Sequence, residues 1–335
     1  MKTYDVYGIG NALVDTEYEV DDEFLAAAKL PKGMMTLIEA DERSRLIKLL
    51  EEEHEIEVIK QAGGGSAANT IVAIAQLGGK TFYSCKVASD STGDFFMHDL
   101  KSVGVETNLD DGREEGITGK CISMVTPDAE RTMTTHLGIT QDLSTKELNE
   151  GALASARYLY IEGYLVTSPT GFEAARAAQS IARGAGTTVS LTLSDPAMVE
   201  NFRDAFDELA AQGVDLIFCN EEEARLWTGA STREAAMKGL IERCSRIAMT
   251  CGKEGAMVFD GKEVATVAGY PTRAVDTTGA GDMFAGAFLY AIGTGASFES
   301  AARFANRAAS LLVGSFGARL PTQVVQRELK LGETA

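Results

Sequence analysis

Short apolar runs alternate with amphipathic runs along most of the chain, and this alternation predicts the fold class. Residues 4–10 form an apolar run that ends in glycine, which is typical of a buried strand. In the second half of the chain, apolar runs at residues 158–161, 187–191 and 215–218 predict strands. Helical periodicity at residues 170–185 and 202–211 separates these strands. Strands that alternate with helices predict a mainly parallel sheet with helices on both faces.

Three segments lie outside this alternation, namely residues 34–39, 120–125 and 131–137. The last two alternate polar and apolar positions around residues 126–130, whose proline and acidic side chains predict the turn of a hairpin. With the run that begins at Asp15, these segments would form a second, small sheet. We predict a lid that is built from about residues 15–20, 33–39 and 118–138 and that excludes water from an active site. The alternative is a small sheet that joins two subunits or that only decorates the fold.

Composition narrows the classes of function. The 335 residues are 45 % hydrophobic, which is enough for one α/β domain over residues 1–335 with the lid as an appendage. The formal charge of 31 − 49 = −18 disfavours a nucleic-acid partner, because such a partner requires a basic surface. No apolar run is long enough to span a membrane. The five cysteines show no paired spacing, so we expect reduced thiols and a cytoplasmic location.

The most informative stretch is residues 276–284, which read Asp-Thr-Thr-Gly-Ala-Gly-Asp-Met-Phe. It lies between a polar run at 269–275, which predicts a strand, and an apolar run at 283–292, which predicts a helix. A helix that begins near Gly279 directs its free N–H groups and positive dipole end at the loop, which favours a bound phosphate. A carboxylate there, Asp282, suits a base that takes the proton of a hydroxyl attacking that phosphate. The alternative is an ordinary acidic residue in a first helical turn.

This stretch resembles the C-terminal signature of the ribokinase-like (PfkB) family of carbohydrate and nucleoside kinases. The resemblance implies a three-layer α/β/α sandwich with a mainly parallel central sheet and a small β-sheet lid. It also implies ATP-dependent phosphoryl transfer to an alcohol group. Carried onto this chain, it makes Gly279, Ala280 and Gly281 the anion hole and Asp282 the catalytic base.

Two N-terminal stretches resemble further parts of the same family. Asp15 follows the first strand, and a carboxylate there suits either a sugar diol or a simple turn. The resemblance implies that Asn11 and Asp15 bind the substrate. The run Gly63-Gly64-Gly65 precedes an apolar helix and is similar to the family's N-terminal signature, which implies that Gly64 and Gly65 form a hinge and that Asn69 contacts the substrate.

The resemblance also assigns residues to the nucleotide and its cations. Asn220 and Glu223 would position the metal–phosphate group, with Glu223 acting on Mg²⁺ through water. Asp276 and Thr278 would hold a monovalent cation, K⁺, if one is used. The remaining nucleotide contacts would be Thr250, Gly252, Thr278, Asn306 and Gly317, with Arg131 reaching a phosphate from the lid hairpin.

Within the family, residues 10–15, 160–167 and 191–196 are most similar to adenosine kinases. Those enzymes stack an aromatic ring on the purine near the position of Leu165, and strand alternation predicts that Tyr164 faces the other way. The acceptor is therefore either a nucleoside such as adenosine or a free sugar of the ribose or fructose type. A further alternative is a non-catalytic regulator on the same fold. A dinucleotide oxidoreductase is disfavoured, because Leu13 stands where a third glycine is required after Gly8 and Gly10. We expect a monomer or a homodimer.

Overall fold

A computed structural model describes residues 2–110, 112–128 and 130–331 of the chain. In chain order, its strands are β1 (Tyr4–Ile9), β2 (Leu13–Glu19), β3 (Met35–Leu37), β4 (Lys60–Gly64), β5 (Thr81–Ser84), β6 (Glu106–Thr107), β7 (Gly119–Val125), β8 (Arg131–His136), β9 (Ala156–Ile161), β10 (Thr188–Thr192), β11 (Leu216–Asn220), β12 (Ile247–Thr250), β13 (Ala256–Phe259) and β14 (Val264–Val267). The larger sheet has the order β14-β13-β12-β11-β10-β9-β1-β5-β6, and the smaller sheet has the order β3-β8-β7-β2-β4.

Helices cover the larger sheet and flank the smaller one. In chain order they are α1 (Asp22–Ala28), α2 (Ala40–Lys48), α3 (Ser66–Gln76), α4 (Ser91–Ser102), α5 (Glu150–Ala154), α6 (Pro169–Gly184), α7 (Pro196–Asn201), α8 (Arg203–Ala211), α9 (Glu221–Thr228), α10 (Arg233–Ile241), α11 (Ala280–Gly293), α12 (Phe298–Val313) and α13 (Thr322–Glu328). The segment Leu49–Glu53 extends α2 as a π-helical turn. None of the helices in the described ranges combines the length and the apolar character that crossing a bilayer requires.

The larger sheet is mainly parallel, as the alternation of strands and helices predicts. Strands β5, β1, β9, β10, β11 and β12 pair in parallel, and the hairpin β13–β14 adds two antiparallel strands at one edge. Side chains on both faces of the central strands are buried, because helices pack against each face. The carboxyl ends of parallel strands meet at one edge of the sheet, so the residues that follow β1, β9, β11 and β12 lie together there.

The smaller sheet confirms the predicted hairpin and the strands that were expected beside it. Strands β7 and β8 are antiparallel, β3 joins β8, and β2 lies between β7 and β4. Its outer face packs on α1 and α2 through a separate apolar cluster that includes Tyr18, Phe24 and Met124. Ala129, which falls in the predicted turn, lies outside the described residues. Strand β4 is an addition to the prediction, because its residues Lys60–Gly64 contain no β-branched or aromatic side chain.

One predicted strand is wrong. Residues 269–275 adopt no regular structure, and most of their side chains are exposed. Pro271 cannot donate to a strand ladder. At the end of the segment, Val275 and Asp276 instead donate their N–H groups to the carbonyl of Val313, which joins this loop to the end of α12. The loop therefore reaches α11 without a strand of its own.

Helix α11 is buried on most of its surface, and aromatic contacts fix its position. Phe288 contacts the rings of Phe218 on β11 and of Phe284 and Phe298, at centroid distances between 5.1 and 5.9 Å. On another face, Gly286 allows α11 to approach α3, since a Cβ there would lie 2.7 Å from the carbonyl oxygen of Thr70. These contacts hold the N-terminus of α11 beside the N-terminus of α3.

We predict that Phe288→Ala destabilises the protein by about 3–5 kcal/mol, because it leaves a cavity between α11 and the sheet. Val264→Ala is the control, since Val264 is 43 % exposed on the edge strand β14 and its loss costs within about 0.5 kcal/mol. Equilibrium unfolding in urea measures both values. A loss of less than about 1 kcal/mol for Phe288→Ala would show that the aromatic cluster does not anchor α11.

Candidate active site

A cavity of about 1300 Å³ lies between the carboxyl edge of the larger sheet and the inner face of the smaller sheet. Its walls come from β2, β7 and β8 on one side and from the loops that precede α3, α9 and α11 on the other. This volume exceeds that of a typical pocket for one small molecule. The cavity therefore has room for two small molecules that meet inside it.

Asp282 lies in the first turn of α11 and is held by two donors from the first turn of α3. Ser66 donates its hydroxyl to Oδ1 at 2.7 Å, and Asn69 donates its amide to Oδ2 at 3.0 Å. Burial raises the pKa of Asp282 to about 6, although both hydrogen bonds and the charge of Arg319 oppose the shift. The carboxylate is thus fixed in orientation and is a proton acceptor above about pH 6.

The turn before Asp282 has the geometry that the sequence predicts. Gly279 has φ of +74°, and a Cβ there would lie 2.5 Å from the carbonyl oxygen of Ala318. Glycine is therefore required at this position. Gly279, Ala280 and Gly281 all line the cavity, where the first N–H groups of α11 have no intrahelical acceptor. At Gly281 an added Cβ would meet no described atom within 4 Å, so packing does not demand glycine there.

Asp15 projects from β2 into the same cavity. Burial raises its pKa to about 6, with Arg319 and Arg131 opposing the shift and Asp282 adding to it. The neighbouring glycines make room for this side chain and for the turn after β1. A Cβ on Gly64 would lie 2.4 Å from Oδ2 of Asp15, and a Cβ on Gly65 would lie 2.4 Å from the carbonyl oxygen of Asn11. Close approach therefore explains the glycine pair, and the hinge role stays a prediction.

Glu162, which the sequence interpretation missed, organises the region around Asn11. Its Oε1 accepts from the side-chain amide of Asn11 at 2.9 Å, and its Oε2 accepts from the backbone N–H of Ala67 at 2.8 Å. Burial raises the pKa of Glu162 to about 7. The signal for finding it was an acidic residue directly after the apolar run of β9, which is the same pattern that drew attention to Asp15.

Arg319 is a second residue that the sequence interpretation missed. Its Nε donates to Oδ1 of Asn69 at 2.7 Å, and its Nη1 donates to Oδ2 of Asp99 at 2.6 Å. Its Nη2 is buried and has no hydrogen-bond partner among the described residues. Because Asn69 in turn donates to Asp282, Arg319 fixes the amide orientation that Asp282 requires.

Asn220 and Glu223 line the cavity at the start of α9 and form a reciprocal capping box. Asn220 Oδ1 accepts from the N–H of Glu223 at 2.8 Å, and the Glu223 carboxylate accepts from the N–H and the side-chain amide of Asn220. Burial raises the pKa of Glu223 to about 7. No group of three or more metal-ligating side chains occurs among the described residues. Asn220 and Glu223 could therefore act only on Mg²⁺ that arrives with phosphate oxygens, and Glu223 would act on it through water.

Several predicted contacts fall outside the cavity lining. Leu165 is 2 % exposed and packs in the main core, so the structure does not place it at the substrate. The prediction assumed that Tyr164 and Leu165 alternate along a strand. Residues Gly163–Thr167 instead form a 3₁₀ turn, and Tyr164 lines the cavity. Asn306 donates its side-chain amide to the carbonyls of Val267 and Ala268, which is a structural role at the end of β14.

Of the remaining predicted nucleotide contacts, some line the cavity and one does not. Gly252 lies in a 3₁₀ turn and does not line the cavity, whereas Thr250, Thr278, Gly317 and Arg131 do.

The residues expected to hold a monovalent cation are already engaged. Asp276 Oδ1 accepts from the N–H of Thr278 at 3.0 Å, and its Oδ2 accepts from the N–H of Gly317 at 2.8 Å. The same Oδ2 lies 3.0 Å from Nη1 of Arg131, which comes from β8 of the smaller sheet. The carboxylate and its neighbours therefore fit a bound guanidinium, and they do not fit a separate K⁺ ion.

Known proteins resemble this chain in sequence and in overall fold. The model of the pfkB family of carbohydrate kinases matches residues 31–324. The adenosine kinase of Sinorhizobium meliloti has a structure with a TM-score of 0.86 and 35 % identity, covering 98 % of this chain and 99 % of that one. A probable sugar kinase from Rhizobium etli CFN 42 gives a TM-score of 0.87 and 33 % identity, with the same coverage of both chains.

Ribokinase from Staphylococcus aureus (strain COL) is 27 % identical over 273 residues, which are 79 % of this chain and 86 % of the ribokinase. The family model covers well over half of the chain, and the two solved structures share its fold over 98 % of its length. The chain therefore belongs to the pfkB family of carbohydrate kinases and is a sugar or nucleoside kinase.

Proposed function

We propose that this kinase transfers the γ-phosphoryl group of ATP to a primary hydroxyl of a ribose-like substrate, with Asp282 as the general base. The position of Asp282 carries the proposal. Its carboxylate lines the cavity directly after the Gly279–Gly281 turn, where both donors that fix it belong to α3. A proton acceptor in the first turn of a helix, beside N–H groups that have no intrahelical acceptor, is the arrangement that phosphoryl transfer to an alcohol requires.

The roles of the other residues follow from their places in the cavity. Asp15 and Asn69 would hold the sugar hydroxyls on the side of the smaller sheet. The first-turn N–H groups and the positive end of α11 would stabilise the charge on the transferring phosphoryl group. Mg²⁺ bound to the ATP phosphates supplies charge neutralisation there. Asn220 and Thr250 would contact the nucleotide from the ends of neighbouring strands β11 and β12.

We favour a nucleoside such as adenosine as the acceptor. Apolar side chains from the smaller sheet and the loop after β8, among them Leu13, Met133 and Leu137, line the cavity and suit a flat base. The ring of Tyr164 lines it from the other side. A free sugar of the ribose or fructose type is the second candidate, since Asp15 and Asn69 would contact only the sugar part of the acceptor.

The same contacts bear on the remaining alternatives. A non-catalytic regulator would not require an anchored base, so the two hydrogen bonds to Asp282 argue against it.

We propose that the smaller sheet is a lid that closes with Gly64 and Gly65 as hinge. All five cysteines are buried and unpaired, which supports the proposed cytoplasmic location.

We predict that Asp282→Asn lowers turnover by about 10²–10⁴, because asparagine still accepts hydrogen bonds but cannot take a proton at neutral pH. Affinity for ATP should be kept or slightly raised, since a charge that repels phosphate is removed. Steady-state release of ADP, together with nucleotide titration of the purified variant, measures both effects.

Asp94→Asn is the matched control, because Asp94 is also an acidic first-turn residue but lies exposed on α4. Its turnover should equal that of the unmodified enzyme. If Asp282→Asn loses less than about tenfold, Asp282 is an ordinary first-turn residue and the proposed mechanism fails.

The hydrogen bond from Ser66 predicts a pH effect. The pKa of Asp282 is about 6, and the Ser66 bond lowers it, so Ser66→Ala should raise it. Since the base acts only when ionised, the acidic limb of kcat/KM should move to higher pH by up to about one unit. Ser123→Ala, which lines the same cavity from β7, should leave the limb in place. Equal acidic limbs for Ser66→Ala and the unmodified enzyme would exclude Asp282 as the titrating base.

The acceptor assignment predicts different effects at two adjacent positions. Tyr164→Ala should raise KM for adenosine, because aromatic contacts add about 0.5–1.5 kcal/mol beyond burial, and should change KM for ribose little. Leu165→Ala should instead lower stability, since Leu165 is in the core. A panel of nucleosides and free sugars, read by ADP release, tests both variants. Equal effects of Tyr164→Ala on adenosine and ribose would remove the proposed base contact.

A further inference from the structure

We propose that the guanidinium of Arg131 serves as a built-in cation beside the anion hole, so that this kinase needs no monovalent ion to neutralise Asp276. This inference rests on the proposed function, because it concerns the loop that precedes the Gly279–Gly281 turn. It also reverses what the resemblance implied for Asp276 and Thr278. The residues present form a closed ion pair in place of an ion-binding loop.

Asp276 accepts two backbone hydrogen bonds and is also paired with a cation. The N–H groups of Thr278 and Gly317 donate to it at 3.0 and 2.8 Å, and Nη1 of Arg131 forms an ion pair with its Oδ2 at 3.0 Å. Nη1 of Arg131 also lies 3.4 Å from the hydroxyl of Thr278. The oxygens that a K⁺ ion would coordinate are thus already paired with a cation, and a second positive charge would be repelled at this distance.

The ion pair is largely buried and has further contacts around it. The side chains of Arg131 and Asp276 are 15 % and 5 % exposed, so salt in solution screens the pair only weakly. Arg131 is held from two further directions, by Glu17 Oε2 at 3.4 Å and by the ring of Phe316, whose centroid lies 4.4 Å from Cζ.

The pair also joins two parts of the molecule. Arg131 belongs to β8 of the smaller sheet, and Asp276 belongs to the loop that sets the position of α11. Neutralisation of the loop is complete only when the smaller sheet is in the position seen here. A soluble ion would bind the loop without this dependence.

The test compares monovalent cations at constant ionic strength. ADP release by the unmodified enzyme should differ by less than about twofold between KCl, NaCl and choline chloride. Arg131→Gln removes the charge, so its turnover in choline chloride should fall at least about tenfold. KCl should restore part of that loss, because K⁺ can then approach Asp276. Arg131→Lys keeps a charge and should remain insensitive to K⁺.

Arg157→Gln is the matched control, since Arg157 also pairs with an aspartate, Asp5, from a strand, but at the amino end of β9. It should behave as the unmodified enzyme in every salt. A second readout does not require activity. Thermal unfolding of Arg131→Gln without substrate should occur at least about 2 °C higher in KCl than in choline chloride, whereas the unmodified protein should show no difference.

Activation of the unmodified enzyme by K⁺ of more than about fivefold, or its stabilisation by K⁺, would overturn the inference. Loss of activity in Arg131→Gln without any response to K⁺ in either readout would overturn it as well. Absence of phosphoryl transfer by the unmodified enzyme in all salts would instead refute the proposed function, and the unfolding temperatures would still decide whether Arg131 excludes K⁺.

Discussion

The contact between the first turns of α3 and α11 is the constraint on which the site depends. Ser66 and Asn69 reach Asp282 only because Gly286 lets the two helices pack closely. Thr70 adds a hydrogen bond to the backbone carbonyl of Asp282 at 3.3 Å. A carboxylate that is held in this way loses its freedom to rotate before any substrate arrives, and preorganisation of this kind lowers the cost of the catalytic step.

Electrostatics explain how an acidic protein can bind a phosphate donor. Burial raises the pKa values of Asp15, Asp282, Glu162 and Glu223 to between about 6 and about 7, so the cavity carries less negative charge than its carboxyl groups suggest. Arg319 and Arg131 oppose part of these shifts and keep the working carboxylates ionised near neutral pH. The positive end of α11 then faces a site whose negative charge is largely compensated.

Local sequence sufficed for the alternation of strands and helices, the hairpin of the smaller sheet and the helix that begins after Gly279, because these features depend on neighbouring residues. The resemblance, and not the local pattern, pointed to the family and to Asp15 and Asn69, since Asn69 lies 213 positions from Asp282. Predictions failed where the position of a side chain depends on residues that are remote in the chain. The 3₁₀ turn at Gly163–Thr167 exchanged the roles of Tyr164 and Leu165, and Asn306 caps a strand end. Arg319 escaped notice because its partner Asn69 lies 250 positions away.

Arg131 illustrates the same limit most clearly, because its role depends on where a hairpin of the smaller sheet comes to rest. Thr278 lies 147 positions from Arg131 in the chain, and no periodicity connects them. From the sequence, a basic residue at the start of a lid strand is expected to bind a phosphate. In the folded protein its charge already belongs to Asp276, and its Nε is buried without a partner among the described residues. The guanidinium can therefore neutralise the loop and at the same time join it to the smaller sheet, which a bound K⁺ ion would not do.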